Sequence, residues 1–257
     1  MANALALSSV ANQNGRHLTR TSEKYQFIPT LRVLNVLGEA GWIPSSGSQA
    51  RVRRGSDRDG FQKHMIRLRK ADSFGMVGAA PEIVLMNSHE GASAFKLIAG
   101  LIEFVCMNGL IVGETFQKST IRHMGYTDEK VNVALDNVLT QFPKIIEQRK
   151  EFQEIDVTPA EQLVFAEAAA QLRSNADEQK INPRDLVYRR HREQSAPTLY
   201  NTLNAVQENL IKGGVYQTSV QTRKRRRTSE VKNISENVRL NSALWTLAEE
   251  MAKLKKS

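Results

Sequence analysis

The sequence predicts an α+β fold, in which an N-terminal antiparallel β-sheet with a basic β-hairpin and few helices is followed by a helical C-terminal region. Short extended runs separated by turn residues fill most of the first half of the chain, and helical spacing of apolar residues with capping signals fills the second. We expect a flexible N-terminal arm at 1–24, an α+β sheet core with a long helix at 25–156, and a helical region at 157–257.

The first regular element is expected after the arm, whose residues are small, polar and unpatterned. The stretch "PTLRVLNVLGEAGW" spaces three leucines at helical intervals and then supplies two glycines as stop signals. The residues concerned are Leu31, Leu34, Leu37, Gly38 and Gly41. This pattern predicts one short helix.

A basic hairpin follows in "WIPSSGSQARVRRGSDRDGFQKHMIRLRK", where two extended runs are joined by turn residues. In the second run the period of two puts His64, Ile66, Leu68 and Lys70 on one face. The other face carries Lys63, Met65, Arg67 and Arg69. If the runs pair, one face would hold about five cations at strand spacing, namely Arg51, Arg53, Lys63, Arg67 and Arg69, with Arg54 and Lys70 beside them.

The most apolar part of the chain is expected to form the centre of the sheet. We interpret "EIVLMN" and "SAFKLI" as strands, and "NSHEG" between them as a surface turn in which His89 and Glu90 are solvated. The segment "AGLIEFVCMNG" fits either a short buried helix capped at Asn108 and Gly109 or a strand ending in a hairpin. The segment "LIVGETFQKSTIRHM" predicts another strand.

The remaining pattern is helical. A long helix is expected to start at Thr127 and to kink at Pro143, and the next has a capping box of Thr158 and Glu161. The stretch "TLYNTLNAVQENLIKGG" and the final helix follow, the latter with a stripe of Leu240, Leu244, Leu247, Met251 and Leu254. Between these two helices a basic loop is expected at 215–233.

Charge is divided unevenly along the chain. The formal net charge is +9, with +6 over residues 51–70, −7 over 71–180 and +8 over 181–257. Two basic regions therefore flank an acidic middle, which favours an anionic partner.

Enzymatic motifs are missing from the sequence. Cys106 is the single cysteine, so an internal disulfide and a cysteine-rich zinc site are excluded. No HExxH motif and no glycine-rich phosphate loop occur, and no run approaches a membrane span. We therefore expect no catalytic residue, no metal and no cofactor, and keep a metal-dependent nuclease using His89 and Glu90 as a second alternative.

Three basic clusters are candidate nucleic-acid contacts. The first cluster is the basic face of the predicted hairpin. Alternate residues of a strand lie about 6.6–7 Å apart, close to the phosphate repeat of an extended single strand, so this face is suited to contact successive phosphates. The second cluster is Arg189 and Arg190 beside Tyr188. The third is the run Arg223, Lys224, Arg225, Arg226 and Arg227, which needs only flexible positive charge to guide a strand. Because aromatic residues are only 6% of the chain, we expect binding through phosphates that leaves the bases free.

The chain resembles a phage- and plasmid-like family, domain of unknown function 932 (DUF932). The resemblance rests on an Asn-x-His-acidic-Gly turn, a Val-Cys-x-Asn-Gly-Leu segment, a Gln-Glu-Asn-Leu-x-x-Gly-Gly helix end and a Leu-Asn-x-x-Leu-Trp helix. It implies a mobile-element or prophage origin and hence a bacterial cytoplasm. At the level of architecture alone, the chain is also similar to the Rad52-like single-strand annealing proteins of phages.

These observations predict a non-enzymatic protein that binds single-stranded DNA and promotes annealing in phage recombination, as a homo-oligomeric ring or filament. A phage exonuclease or a host single-strand-binding protein is a possible further partner. The alternative is a phage or plasmid interaction protein whose basic surface docks an acidic host or defence factor.

Overall fold

The structure, a computed structural model, describes residues 4–53, 55–73, 78–104, 108–111, 119–174, 177–192 and 195–256. Arg54 and Cys106 lie outside the described residues. The chain divides into two compact units, one of Met1–Leu101 with Phe116–Phe142 and one of Ile102–Thr115 with Pro143–Ser257.

The strands in chain order are β1 (Trp42–Gln49), β2 (His64–Lys70), β3 (Ala79–Asn87), β4 (Phe95–Glu103), β5 (Asn108–Ile111), β6 (Ser119–Ile121), β7 (Gln179–Ile181), β8 (Tyr216–Ser219) and β9 (Arg225–Arg227). The helices are α1 (Ser8–Ala11), α2 (Thr30–Glu39), α3 (Asp128–Leu139), α4 (Phe142–Glu154), α5 (Pro159–Arg173), α6 (Pro183–Leu186), α7 (Leu199–Lys212) and α8 (Ile234–Lys256). The N-terminal sheet has the order β1-β2-β3-β4-β5, with β6 beside β4. The predicted α+β class is confirmed.

The predicted basic hairpin is present as the antiparallel pair β1–β2, which runs from Trp42 opposite Lys70 to Gln49 opposite His64. The alternation predicted for β2 is found from His64 to Leu68, since His64, Ile66 and Leu68 are all fully buried. It breaks at the end of the strand, where Arg69 is buried and Lys70 is exposed. Arg51 and Arg53, however, follow the end of β1 and are exposed in the connection between the strands. The prediction that they share a strand face with the β2 cations is therefore wrong.

The N-terminal segment has more structure than the expected flexible arm. Val10 is fully buried, and the backbone amide of His17 donates to the carbonyl of His89 over 2.9 Å. The Ser9 hydroxyl donates to the side-chain oxygen of Gln49 over 2.8 Å. These contacts attach residues of the segment to β1 and to the loop after β3.

The long kinked helix that the sequence predicts is two helices. Thr127 accepts from the amide of Lys130 and caps α3, as expected. Thr140 and Gln141 form a turn between α3 and α4, in which Thr140 keeps helical backbone angles, and Pro143 lies in the first turn of α4. A proline is tolerated there because its missing amide hydrogen would have no partner in a first turn.

In the second unit the capping box of α5 is confirmed, with Thr158 and Glu161 bonded reciprocally. The buried face of α8 differs from the predicted leucine stripe, because Leu254 is 75% exposed and Trp245 is fully buried. Trp245 lies with its ring centroid 5.4 Å from that of Phe152 on α4. Leu240 and Leu244 are buried as expected. Beyond them the buried apolar positions are Trp245, Ala248 and Ala252, each one residue after a position of the predicted stripe.

The expected basic loop at 215–233 is largely a β-hairpin. β8 and β9 pair antiparallel, and β7 joins β8 on its other side to complete a three-stranded sheet in the order β7-β8-β9. This sheet was not predicted because each of its strands has only three or four residues, too few to show a clear period.

Candidate nucleic-acid interface

The β8–β9 hairpin begins at Gly213, where the C-terminus of α7 turns into the strand. Gly213 has φ of 73°, and a Cβ at this position would lie 2.6 Å from the carbonyl oxygen of Ser229. The amide of Gly214 donates to the carbonyl of Thr228 over 2.9 Å, and the amide of Thr228 donates to Val215 over 2.8 Å. The absence of a side chain at Gly213 thus lets the backbone before β8 approach the backbone after β9, and the hydrogen bonds between them continue the pairing of the two strands.

The basic run predicted from the sequence occupies the turn and strand β9 of this hairpin. Arg225 lies opposite Thr218, Arg226 opposite Gln217 and Arg227 opposite Tyr216. All residues from 221 to 227 are exposed, and Arg223 adopts a left-handed conformation with φ of 56° in the turn. The hairpin therefore presents the charges from a defined backbone.

Tyr216 organises two of these cations. The guanidinium carbon of Arg225 lies 3.8 Å from the centroid of the Tyr216 ring, and that of Arg227 lies 5.0 Å away. Arg227 is the direct cross-strand neighbour of Tyr216 and Arg225 its diagonal neighbour, so all three side chains share one face of the sheet. This role of Tyr216 was not predicted, although the alternation of residues in "VYQTS" before the basic run "RKRRR" is a signal for it in the sequence.

Among the described residues, no carboxylate balances the charges of the run. Within the part of the chain that the structure describes, none of the five residues from Arg223 to Arg227 forms an ion pair. Cations held this way remain available to a phosphate, since no internal partner has to be displaced.

The cations of β2 have a different environment. The Arg67 side chain is only 12% exposed and pairs with Glu82, which is fully buried. Arg69 is also buried, with its Nε 3.4 Å from Oε1 of the same Glu82. These two arginines lie on the predicted strand, but much of their charge is compensated inside the first unit.

Lys63 and Lys70 flank these arginines. Burial lowers the pKa of Lys63, and the nearby charge of Lys96 adds to this effect. Lys70 is exposed, but its Nζ donates to the carbonyl of Ala40 over 2.6 Å. Among the described cations predicted for this region, Arg51, Arg53 and Lys70 are exposed.

The second predicted cluster, Arg189 and Arg190, contributes to folding. The Nε of Arg190 donates to the side chain of Asn209 over 2.8 Å, and a second nitrogen donates to the carbonyl of Gly213 over 2.9 Å. Arg189 donates to the carbonyl of Ser195. Arg190 thus stabilises the end of α7 from which the hairpin starts.

The turn containing His89 and Glu90 is not a solvated surface turn, and that interpretation is wrong. His89 is fully buried, and its Nε2 lies 3.0 Å from the carbonyl oxygen of Ser9. Its ring centroid is 5.1 Å from that of His64, whose Nε2 lies 2.8 Å from the Thr30 hydroxyl. Burial lowers the pKa of His64 to about 4 and that of His89 to about 3, so both rings are neutral at pH 7.

Glu90 in the same turn has a structural partner. Arg58 donates to its two carboxylate oxygens over 2.6 and 2.7 Å, and the Glu90 side chain is only 2% exposed. A bidentate pair of this kind orients the loop between β1 and β2. Among the described residues there is no group of three or more His, Cys, Asp or Glu that could hold a metal ion.

His17 links a hydroxyl and a carboxylate in the first unit. Its Nδ1 lies 3.2 Å from the Thr19 hydroxyl and its Nε2 lies 3.2 Å from the Asp57 carboxylate. This order of groups resembles a hydrolytic triad, but the Asp57 side chain is 72% exposed. The buried carboxylate that orients the histidine in such triads is therefore lacking here.

No helix within the described ranges is both long and apolar enough to cross a bilayer. The described parts of the chain form one unit built around an antiparallel sheet and one mainly helical unit that exposes an arginine-rich hairpin.

Comparison with known proteins assigns the family. The chain belongs to the family described as "Domain of unknown function (DUF932)", which matches residues 17–245. Two relatives from Escherichia coli (strain K12), "UPF0380 protein YafZ" and "UPF0380 protein YfjQ", are each 35% identical over 235 residues. Each match covers 91% of this chain and 84% of the relative. No solved structure matches the chain significantly.

Proposed function

We propose that this protein binds single-stranded DNA through its phosphates and promotes strand annealing in recombination of a mobile element. The observation that carries the proposal is the exposed strand Arg225–Arg227, whose charges have no carboxylate partner among the described residues. Exposed arginines on an edge strand are suited to anions because the guanidinium group offers several donors in a planar fork.

The spacing of these cations fits an extended strand. Arg225 and Arg227 are two residues apart on β9 and project from the same face, about 6.6–7 Å from each other along the backbone. This distance is close to the phosphate repeat of an extended single strand, and the ring of Tyr216 restricts both side chains before any ligand arrives. Restricting them in advance reduces the conformational entropy lost on binding.

The stacking of Arg225 on Tyr216 favours binding of DNA through its phosphate backbone and not through its bases. The ring of Tyr216 is already in contact with Arg225, so it offers less surface on which a base could stack. Binding by phosphates leaves base edges available for pairing with a second strand, which is what annealing requires.

The first basic region supplies additional contacts in this proposal. Arg51 and Arg53 are exposed and would strengthen binding by flexible phosphate contacts, whereas Arg67 and Arg69 mainly stabilise the fold by pairing with Glu82.

Several subunits in a ring or filament would hold a strand along its length, and a phage exonuclease or a host single-strand-binding protein would deliver it. The proposed setting is the cytoplasm of a bacterial host.

The direct test is fluorescence anisotropy with a labelled single-stranded oligonucleotide at several salt concentrations. We expect log Kd to rise linearly with log salt, with a slope of about 0.7 for each phosphate contacted. Replacing Arg225, Arg226 and Arg227 together by alanine should weaken binding and lower this slope by about 2.

A matched control removes three cations elsewhere, by the triple alanine replacement of Lys253, Lys255 and Lys256. These lysines pair with Glu250, Glu161 and Glu151, so their loss should leave the slope nearly unchanged. Equal effects of the two triple variants, or binding insensitive to salt, would contradict the proposal. Binding of an acidic protein in place of DNA would support the alternative of an interaction protein.

A further inference from the structure

A cavity of about 510 Å³ lies beside the arginine strand in the second unit. Its lining includes Glu167 and Gln171 from α5, and Lys180, Tyr216, Thr218 and Arg225 from the β7-β8-β9 sheet. This volume is within the range of sites that enclose a small organic ligand.

The strand register explains how two cations reach this cavity. Lys180 lies opposite Thr218, and Thr218 lies opposite Arg225, so these residues form one row across the three strands. Residues in such a row project from the same face of a sheet. A phosphate placed at this row would contact a lysine and an arginine together.

The helical side of the cavity carries the opposite charge. Glu167 is exposed on α5 and forms no ion pair within the described residues, and Gln171 follows it one turn later on the same helix face. A carboxylate only accepts hydrogen bonds at neutral pH. The amino groups of cytosine, adenine and guanine donate hydrogen bonds, whereas thymine presents a carbonyl oxygen where cytosine has its amino group.

We infer that this cavity holds one nucleotide of the bound strand, with its phosphate at Lys180 and Arg225 and its base edge at Glu167. The inference rests on the proposed function, and it adds a preference for bases that carry an amino group at one position of an otherwise sequence-independent site. Gln171 provides a neighbouring amide for the same base edge.

The experiment compares oligo(dC) and oligo(dT) of about 15 nucleotides by anisotropy at fixed salt and pH 7.5. One hydrogen bond between the charged carboxylate and an amino group corresponds to about tenfold tighter binding of oligo(dC) at the lower end of the range for charged acceptors. In Glu167→Gln, the new amide can donate to the thymine carbonyl, so the ratio of the two Kd values should fall to about 1. The ratio is used because removing a negative charge strengthens binding to both oligonucleotides.

The matched control is Glu154→Gln, which changes the charge equally at an exposed position of α4 outside the cavity lining and should keep the wild-type ratio. Equal Kd values in the wild type, or an unchanged ratio in Glu167→Gln, would overturn the inference while the proposed function stands. Absence of binding to both oligonucleotides would overturn the two together. Binding of free dCMP that depends on Glu167, without any difference between the oligonucleotides, would show that the site takes a free nucleotide and would also overturn the inference.

Discussion

The guanidinium carbon of Arg225 lies 3.8 Å from the centroid of the Tyr216 ring, across the two paired strands of the β8–β9 hairpin. An exposed cation–π contact contributes only about 0.5–1 kcal/mol. The contact matters for binding because it holds the Arg225 side chain, which would otherwise sample many rotamers, in one position on the face of the hairpin.

Tyr216→Leu should therefore weaken binding of single-stranded DNA by about two- to fivefold, which is the affinity equivalent of the lost contact. The salt slope should stay unchanged because every cation is retained. Anisotropy titrations at several salt concentrations measure both quantities. Tyr188→Leu is the control, since Tyr188 is 68% exposed and forms no such contact with the arginine strand. A changed slope in Tyr216→Leu would refute this explanation.

Arg67→Ala should destabilise the fold. It removes a partner of the fully buried Glu82, and among the described residues Arg69 remains to balance that carboxylate. Breaking a buried pair costs roughly 3–5 kcal/mol, and we expect about 3 because Arg69 remains. Urea unfolding measures the loss.

Arg51→Ala is the matched comparison for Arg67→Ala, because Arg51 is exposed in the same basic region. Its effect on stability should stay within about 0.5 kcal/mol, while the affinity for DNA falls. If the two substitutions changed stability equally, the distinction between compensated and available cations would be wrong.

Acid should destabilise the first unit through its buried histidines. The folded pKa values of about 4 for His64 and about 3 for His89 lie below the value of about 6.5 for an unfolded histidine. The unfolded state therefore binds more protons in this range, and stability is complete above about pH 6.5 and is lost as the pH falls toward 3–4. Each histidine contributes a slope of up to about 1.4 kcal/mol per pH unit.

Urea unfolding at pH 7.5, 6, 5 and 4 tests this dependence. His64→Gln should make the decline shallower, because glutamine can still bond the Thr30 hydroxyl but does not titrate. A decline of the same slope in His64→Gln would assign the acid sensitivity to other groups.

Gly213→Ala should destabilise the second unit by more than the roughly 1–2 kcal/mol expected for a left-handed residue alone, because the new Cβ also collides with the backbone of Ser229. Gly15→Ala is the comparison, since Gly15 has φ of 87° and no atom within 4 Å of the added Cβ. Thermal unfolding and DNA affinity should both decrease more for Gly213→Ala. Equal effects would show that the contact with Ser229 does not constrain the hairpin.

Local patterns predicted much of the fold. The alternation of β2, the caps at Thr127 and Thr158 and the extent of α7 depend on residues within a few positions of each other, and all are found. The three-stranded sheet was missed because short strands carry little periodicity, and β7 lies more than thirty residues before its partner β8 in the sequence.

The candidate site was predicted less completely. All five residues of the run from Arg223 to Arg227 were identified from their charge, but Tyr216, Lys180 and Glu167 were not, because their proximity follows from strand pairing and from the position of α5. His89 was assigned to a solvated turn because its contacts with Ser9 and His64 come from distant parts of the sequence.

The α+β class, the principal helices and the positions of the two basic regions follow from hydrophobic periodicity and charge, which are properties of the chain before it folds. Which of those charges are available to a ligand depends on how the strands pair after folding. Glu82 on β3 compensates Arg67 and Arg69 on β2, whereas within the described residues no carboxylate pairs with the arginines of β9. The physical reason is that an ion pair forms only within about 4 Å, so compensation depends on strand pairing between separate segments of the chain.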